Sequence, residues 1–241
     1  MGSGIQQPIV DQSSGGSAFG DVFKVLYEPG AVFERVRARP SFFAPFLAII
    51  AVQCVLFFIN LPYLKVAIQA QMAAQPAAAS RGAPGTGMLV AFGLVGLIVV
   101  LGIIFVITGL LLWAFSSILG GGDAKFSTML SVGTYSAVPA AMLLGIIGTI
   151  VLHLQGSSGL TSTADLQPAL GLDLLSPGTR GFMGAVLKAI NPFSIWGLVL
   201  TAIGVSTTQR VSKGTGYAVA VATFVIGVLI AGGFGALSPG R

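Results

Sequence analysis

Charged residues divide this chain into long silent stretches. No Asp, Glu, Lys or Arg occurs in 40–64, 82–122, 126–164, 189–209 or 214–240, and these windows hold nearly all of the strongly apolar sequence. A bilayer core of roughly 30 Å needs about 20 apolar residues in a helix rising ~1.5 Å per residue. Each window is long enough, and together they predict spans at about 41–61, 88–118, 134–154, 191–209 and 216–236. The runs are continuously apolar rather than alternating with a period of two, which selects helices over barrel strands. The expected fold is therefore all-α, a polytopic transmembrane helix bundle of five spans.

Two windows carry extra structure. The second span, at about 30 residues, would reach roughly 45 Å and must tilt or project into water. The third contains Pro139, which removes a backbone donor and kinks a helix. Residues 126–136 read as an interfacial or re-entrant stretch feeding a span that begins near Pro139.

Outside the windows, 1–17 reads as a disordered tail and 237–241 as a short C-terminal one. Over 18–40, Phe19, Val22, Phe23 and Leu26 recur at helical spacing. Pro29-Gly30 interrupts the pattern, and Val32, Phe33 and Val36 resume it beside Arg35, Arg37 and Arg39. A basic amphipathic helix before a span is expected to lie in the membrane interface, the alternative being a docking helix for a cytosolic partner. Lys24, Arg35, Arg37 and Arg39 before the first span place the N-terminus in the cytoplasm. Two loops, at about 62–87 and 155–190, then fall on the outer side. The second carries Leu166, Leu170, Leu172, Leu174 and Leu175, too apolar for a free linker, so it is expected to pack against the bundle, the membrane surface or a partner.

Composition narrows the class. Hydrophobic residues make up 54% of the 241 and charged residues 8%, against about 25% charged in soluble domains. The mean hydropathy is +0.93. The net charge of +5 comes from residues beside apolar runs, which points to anionic headgroups and topology rather than nucleic acid. Cys54 stands alone and His153 is the sole histidine, so neither a disulfide nor a metal site is expected. Gly120-Gly121-Gly122 before Asp123 lacks the ending of a phosphate loop and reads as a turn. No catalytic set, cofactor site or metal site is expected. No ionisable residue falls inside a proposed span, which argues against an ion-coupled pump. Thr223, Gly227, Ala231 and Gly235 form a small-residue stripe suited to close helix packing.

Three phrases in order resemble the Yip1 domain family: Glu28-Pro29-Gly30 with Val32-Phe33 and Arg39-Pro40; the Gly-rich turn with Asp123, Phe126 and Ser131 through Pro139; and Asn191-Pro192-Phe193-Ser194-Ile195-Trp196 before a Leu-rich span ending near Gly204. The likeness covers about 20–235. It implies a compact bundle of about five helices with a cytoplasmic N-terminus. Eukaryotic members act in vesicle trafficking and bind small GTPases and one another, and some bacterial members accompany transport complexes. The Ala/Gln-rich and Leu-rich loops are longer than the family leads one to expect.

The resulting expectation is a non-enzymatic accessory or scaffold protein of the bacterial inner membrane. Its partners would be membrane lipids and other membrane proteins, within a complex or as a homo-oligomer. The rivals are a channel or transporter for a neutral or lipid-like substrate, and a membrane-shaping protein of the trafficking type. The residues expected to matter are structural: Phe19 and Phe23 in the amphipathic segment, Tyr135 and Pro139 in the kinked span, Asn191, Pro192 and Trp196 at the start of the fourth, and Gly227 and Ala231 in the last.

Overall fold

A computed structural model of the chain describes residues 18–74, 84–121 and 124–237. The tail expected at 1–17, residues 238–241 of the C-terminal one, and Gly122-Asp123 of the Gly-rich turn lie outside the described residues. The α-helices are α1 (Ala18–Lys24), α2 (Pro29–Ala38), α3 (Phe43–Ala73), α4 (Thr86–Gly120), α5 (Phe126–Ser136), α6 (Leu144–Gln155), α7 (Gly181–Ala189), α8 (Pro192–Gln209) and α9 (Lys213–Leu237). Among the described residues there is no strand, so the all-α fold class holds.

Four helical columns are long and apolar enough to cross a membrane: α3, α4, the run Phe126–Gln155 that joins α5 to α6, and α9. The pair α7–α8, bent by 61°, passes the same test only as a unit, so the column expected at 191–209 is not long and apolar enough by itself and the count is four, or five with that bent pair taken as one span. The bend follows from the sequence at its hinge. Pro192 supplies a preset first helical residue, and Asn191 caps α8 by accepting from the backbone N–H groups of Phe193 at 3.1 Å and Ser194 at 2.9 Å.

The helices depart from the sequence reading at two places. α3 does not stop near 61 but runs on through Pro62 and Lys65 to Ala73. Proline removes one donor only, and the Leu, Lys, Ala, Gln and Met residues that follow are good helix formers. Residues 126–136 do not turn back as a re-entrant stretch would: they form the upstream part of one 30-residue column. All nine residues Thr128–Ser136 are buried, with α5 set against α2, α3, α4 and α8. Small and hydroxylated side chains permit this. Ser131 donates to the Ser127 carbonyl at 2.8 Å and Thr134 to that of Leu130, so each satisfies its hydroxyl within its own helix. Pro139 opens a π-helical turn, Pro139–Leu143, closed by the Leu144 N–H donating to the Pro139 carbonyl. The column therefore absorbs the missing donor by widening one turn.

The main core lies where α1, α2, α5 and α8 meet. Val22, Phe33, Met129, Val132, Tyr135, Leu200 and Val205 are buried there. α8 approaches α5 closely because its contact face is glycine: a Cβ on Gly204 would sit 2.7 Å from Val132 Cγ1 and 3.0 Å from the Phe33 ring, and one on Gly197 would sit 2.9 Å from the Ser136 carbonyl oxygen. α9 is held at both ends. Gly216 faces the Ala202 carbonyl of α8, while Gly232 and Gly235 meet Phe182 and Ala185 of α7. A smaller cluster, Ala67, Leu152 and Leu160 with Tyr63 and Leu166 against it, lies toward the far end of α3.

Candidate functional site

Between α3 and α6 the bundle does not close. A cleft of about 510 Å³ opens there, walled by Leu56 and Phe57 of α3, Leu97 of α4 and Leu144 of α6, and roofed by the loop segment 166–173. That volume is in the range of sites for small organic ligands. Three uncharged polar groups line it along the helices. The Gln53 amide donates to the Ala141 carbonyl at 2.5 Å, so this bond spans the α3–π-turn contact. The Asn60 amide bonds Thr149 Oγ1 at 2.8 Å. Gln53 and Asn60 are seven residues apart and thus share one face of α3.

Two charged residues stand at the loop end of the cleft, Asp173 and Lys188. Asp173 follows from local chain geometry. The 3₁₀ turn Leu172–Leu175 carries it in its first turn, and its Oδ1 accepts from the Gly171 N–H at 2.9 Å. Gly171 is needed for a close approach, since a Cβ there would lie 2.7 Å from the Ile190 carbonyl oxygen. Asp173 is only 7% exposed, and its Oδ2 has no hydrogen-bond partner. One end of the buried Asn60 amide is likewise unpartnered. Buried polar groups are nearly always paired, and an unpaired buried carboxylate is costly. Lys188 directs its ammonium to the Gln167 carbonyl at 3.1 Å, an acceptor carrying no formal charge, and leaves two of its three protons for other acceptors.

At the other end of α3 the polar chemistry is closed on itself. Arg35 of α2 grips Asp21 of α1 with two bonds, Nε to Oδ2 at 2.9 Å and Nη2 to Oδ1 at 2.5 Å. This is the fork geometry that makes Arg–carboxylate pairs strong. The bond to Asp21 raises the Arg35 pKa above its ordinary value despite the guanidinium's desolvation. The Tyr135 hydroxyl donates to the Ala18 carbonyl at 3.2 Å, tying the first described turn to the centre of the bundle. The apolar face of α2, Val32, Phe33 and Val36, is buried against α5 and α8. Protein covers this face.

The sequence-derived residues fall in different places. Phe19 and Phe23 are exposed, at 56% and 62%; the side of α1 that faces the bundle carries Asp21 and Val22. Tyr135 and Pro139 are buried in the central column. Asn191 is buried as the α8 cap, Pro192 is the first residue of that helix, and Trp196 is half exposed on it. Ala231 is half-buried. Gly227 has open space around it, although α9 packs against α4, α7 and α8. The internal close contact sits at Gly232 and Gly235 instead. Of the loop leucines, Leu166 and Leu170 pack inward, whereas Leu172, Leu174 and Leu175 are exposed. His153 is bound to its own helix at the Thr149 carbonyl, 2.9 Å, with its ring 4.5 Å from that of Tyr63. No group of metal-ligating residues occurs among the described residues.

The residues of α3, α4 and α6 that line the cleft include no ionisable one, so no charge marks it in the apolar windows. The available signal was the pair Gln53 and Asn60, two amides on one face of an otherwise apolar run.

Comparison with known proteins gives two matches. The family model for the Yip1 domain matches residues 23–235. A curated protein of Bacillus subtilis (strain 168), the membrane protein YknW, is 28% identical over 212 residues, covering 87% of this chain and 86% of that one. No solved structure matches.

Proposed function

The chain belongs to the Yip1 domain family and is a multi-pass membrane protein, and from that premise we propose that it is a non-enzymatic accessory subunit of a membrane assembly, packed through its helices against a partner membrane protein. A bacterial cytoplasmic membrane is the proposed location, in keeping with a bacterial relative.

The observation that carries this reading is α4. Its 35 residues contain the most apolar stretch of the four columns, and that stretch is the least buried within the chain. At ~1.5 Å per residue the helix is about 52 Å long, while lipid tails cover roughly 30 Å. Tilt takes up part of the excess, and the remaining apolar flank needs protein to cover it. The uncovered side is broad and apolar. Phe92, Val95, Val99, Ile103, Val106 and Leu110 recur there at three- and four-residue steps, the spacing of a helix–helix seam, within a wider exposed face that also carries Ile98, Val100, Ile104 and Ile107.

A photo-crosslinking amino acid placed at Val99 or Ile103 tests this in intact membranes, with outward Val225 of α9 as the reference position. The expected result is a discrete protein adduct from the α4 positions, and the same partner recovered stoichiometrically after gentle solubilisation. Lipid adducts alone from α4, with this chain recovered by itself, would contradict the reading.

A further inference from the structure

One side of α1 is settled within the chain and the other is not. On the inner side Asp21 and Val22 are buried, Arg35 grips Asp21, and the Tyr135 hydroxyl holds the Ala18 carbonyl. The outer side carries Phe19, Phe23 and Tyr27, exposed by 56%, 62% and 67%. The three recur every four residues, and helical bonding continues past Lys24, with the Glu28 N–H donating to the Lys24 carbonyl at 2.7 Å. The rings therefore share one face. Water solvates a face of three aromatic rings poorly.

The place of this stripe in the fold says what covers it. α1 packs against α3. Val22, Val25 and the half-buried Leu26 share a core with Phe42, Phe46 and Ile49, which puts α1 beside the first turns of α3. From Phe43 to Leu64 α3 carries no charge and measures about 32 Å at ~1.5 Å per residue, close to one hydrocarbon core of roughly 30 Å. Arg39 precedes this stretch and Lys65 ends it. The first turns of α3, where Phe43 and Leu47 are exposed, thus mark one boundary of the lipid tails. Since the inner side of α1 faces the bundle, its outer side faces what surrounds the bundle at that boundary.

We propose that Phe19, Phe23 and Tyr27 form a lipid-binding surface, seated among the headgroups and upper acyl chains, so that α1 is clamped between the bundle and the bilayer. Aromatic rings suit this zone, where an apolar body meets the acyl chains and the Tyr27 hydroxyl meets water. Lys24, on the same short helix, adds an ammonium for lipid phosphates on an aliphatic stem. The two helices of the amphipathic segment then divide the work: α2 spends its apolar face on the bundle, and α1 gives its outer face to lipid. The inference is independent of the accessory role, since it concerns what covers α1 and not what covers α4.

The test uses the full chain in nanodiscs, with Trp113→Phe and Trp196→Phe so that a single introduced indole reports. Phe23→Trp and Tyr27→Trp probe the stripe, each keeping an aromatic ring at an exposed position. Glu34→Trp, exposed on α2, is the water reference, and Leu47→Trp, exposed on α3, the lipid reference. The quenchers are lipids brominated near the glycerol end of the acyl chain and, separately, dissolved iodide. Both stripe indoles should lose most of their emission to the brominated lipids and little to iodide, as Leu47→Trp does, while Glu34→Trp shows the reverse. Stripe indoles as open to iodide as that of Glu34→Trp would overturn the proposal. So would indoles shielded from both quenchers, the signature of a protein cover, and so would lipid quenching at only one of the two stripe positions.

Discussion

The two ends of α3 are organised by different physics. Near its start, Phe46 packs against a core in which Phe33, Ile49, Met129 and Val132 have no exposed surface, and the charged groups Asp21 and Arg35 satisfy each other. Near its end, only Ala67 of α3 joins a core cluster, and a cleft remains in which Asp173 and Asn60 each keep an unpartnered polar atom. Close packing leaves little volume for a ligand at that end, although Ser136 Oγ is buried there without a partner. The open end keeps a cleft lined by Gln53, Asn60, Asp173 and Lys188, the volume a ligand needs. The closed end fixes the fold and the open end is where function has room.

Substitutions at the closed end should therefore cost the most. Phe33→Ala removes a fully buried ring beneath Gly204 and should lower stability by about 3–5 kcal/mol, read as the midpoint of chemical unfolding in mixed micelles. Gly204→Leu should cost about 1–3 kcal/mol or more in the same assay, since its Cβ alone would collide with Val132. Asp21→Asn breaks the fork to Arg35. Arg35 keeps about a third of its side-chain surface in solvent, so the loss should be about 1–2 kcal/mol after screening.

At the open end the same kind of change should be mild. Gly148→Ala should alter stability by less than about 1 kcal/mol in either direction, because the site is roomy and alanine favours the helix. A loss as large as that of Phe33→Ala would erase the contrast between the two ends. The smallest effect concerns the loop over the cleft. Burial pushes the Asp165 carboxyl upward, but bonds from the backbone and side chains of Thr161 and Ser162 outweigh it and hold its pKa below the ordinary 3.8. A carboxyl depressed in the folded state stabilises that state above its unfolded pKa and stops doing so as pH falls through the folded value. Local order over 161–166, followed by NMR, should thus persist at pH 5 and fade only below about pH 4, and Asp165→Asn should remove this pH dependence.

Much of this was legible in the chain. The charge-free windows announced the membrane helices because lipid solvates no ionised side chain cheaply and enforces helical hydrogen bonding. The Asn191-Pro192 start of α8 was legible for a local reason, a cap followed by a preset proline. What escaped was tertiary. The helical periodicity of 18–40 marked an amphipathic face but did not say what covers it, and the structure spends Val32, Phe33 and Val36 on α5 and α8 while leaving Phe19 and Phe23 outside. Residues 126–136 read as interfacial or re-entrant because Pro139 follows them, and spacing alone does not reveal that the helix carries on through that proline by a π-helical turn. Asp173 gave no signal at all, since its isolation depends on how the loop folds over α3 and α6.

Hydrogen exchange of the full chain in nanodiscs tests the contrast most directly, because α2 and the 161–175 loop both lie outside the membrane-length columns. Amides of Val32 through Val36 should exchange at least a hundredfold more slowly than those of the loop, on the order of 3 kcal/mol of extra protection for a helix docked in the core. Equal exchange in the two segments would mean that α2 merely rests on the surface, and that the closed end is no more closed than the open one.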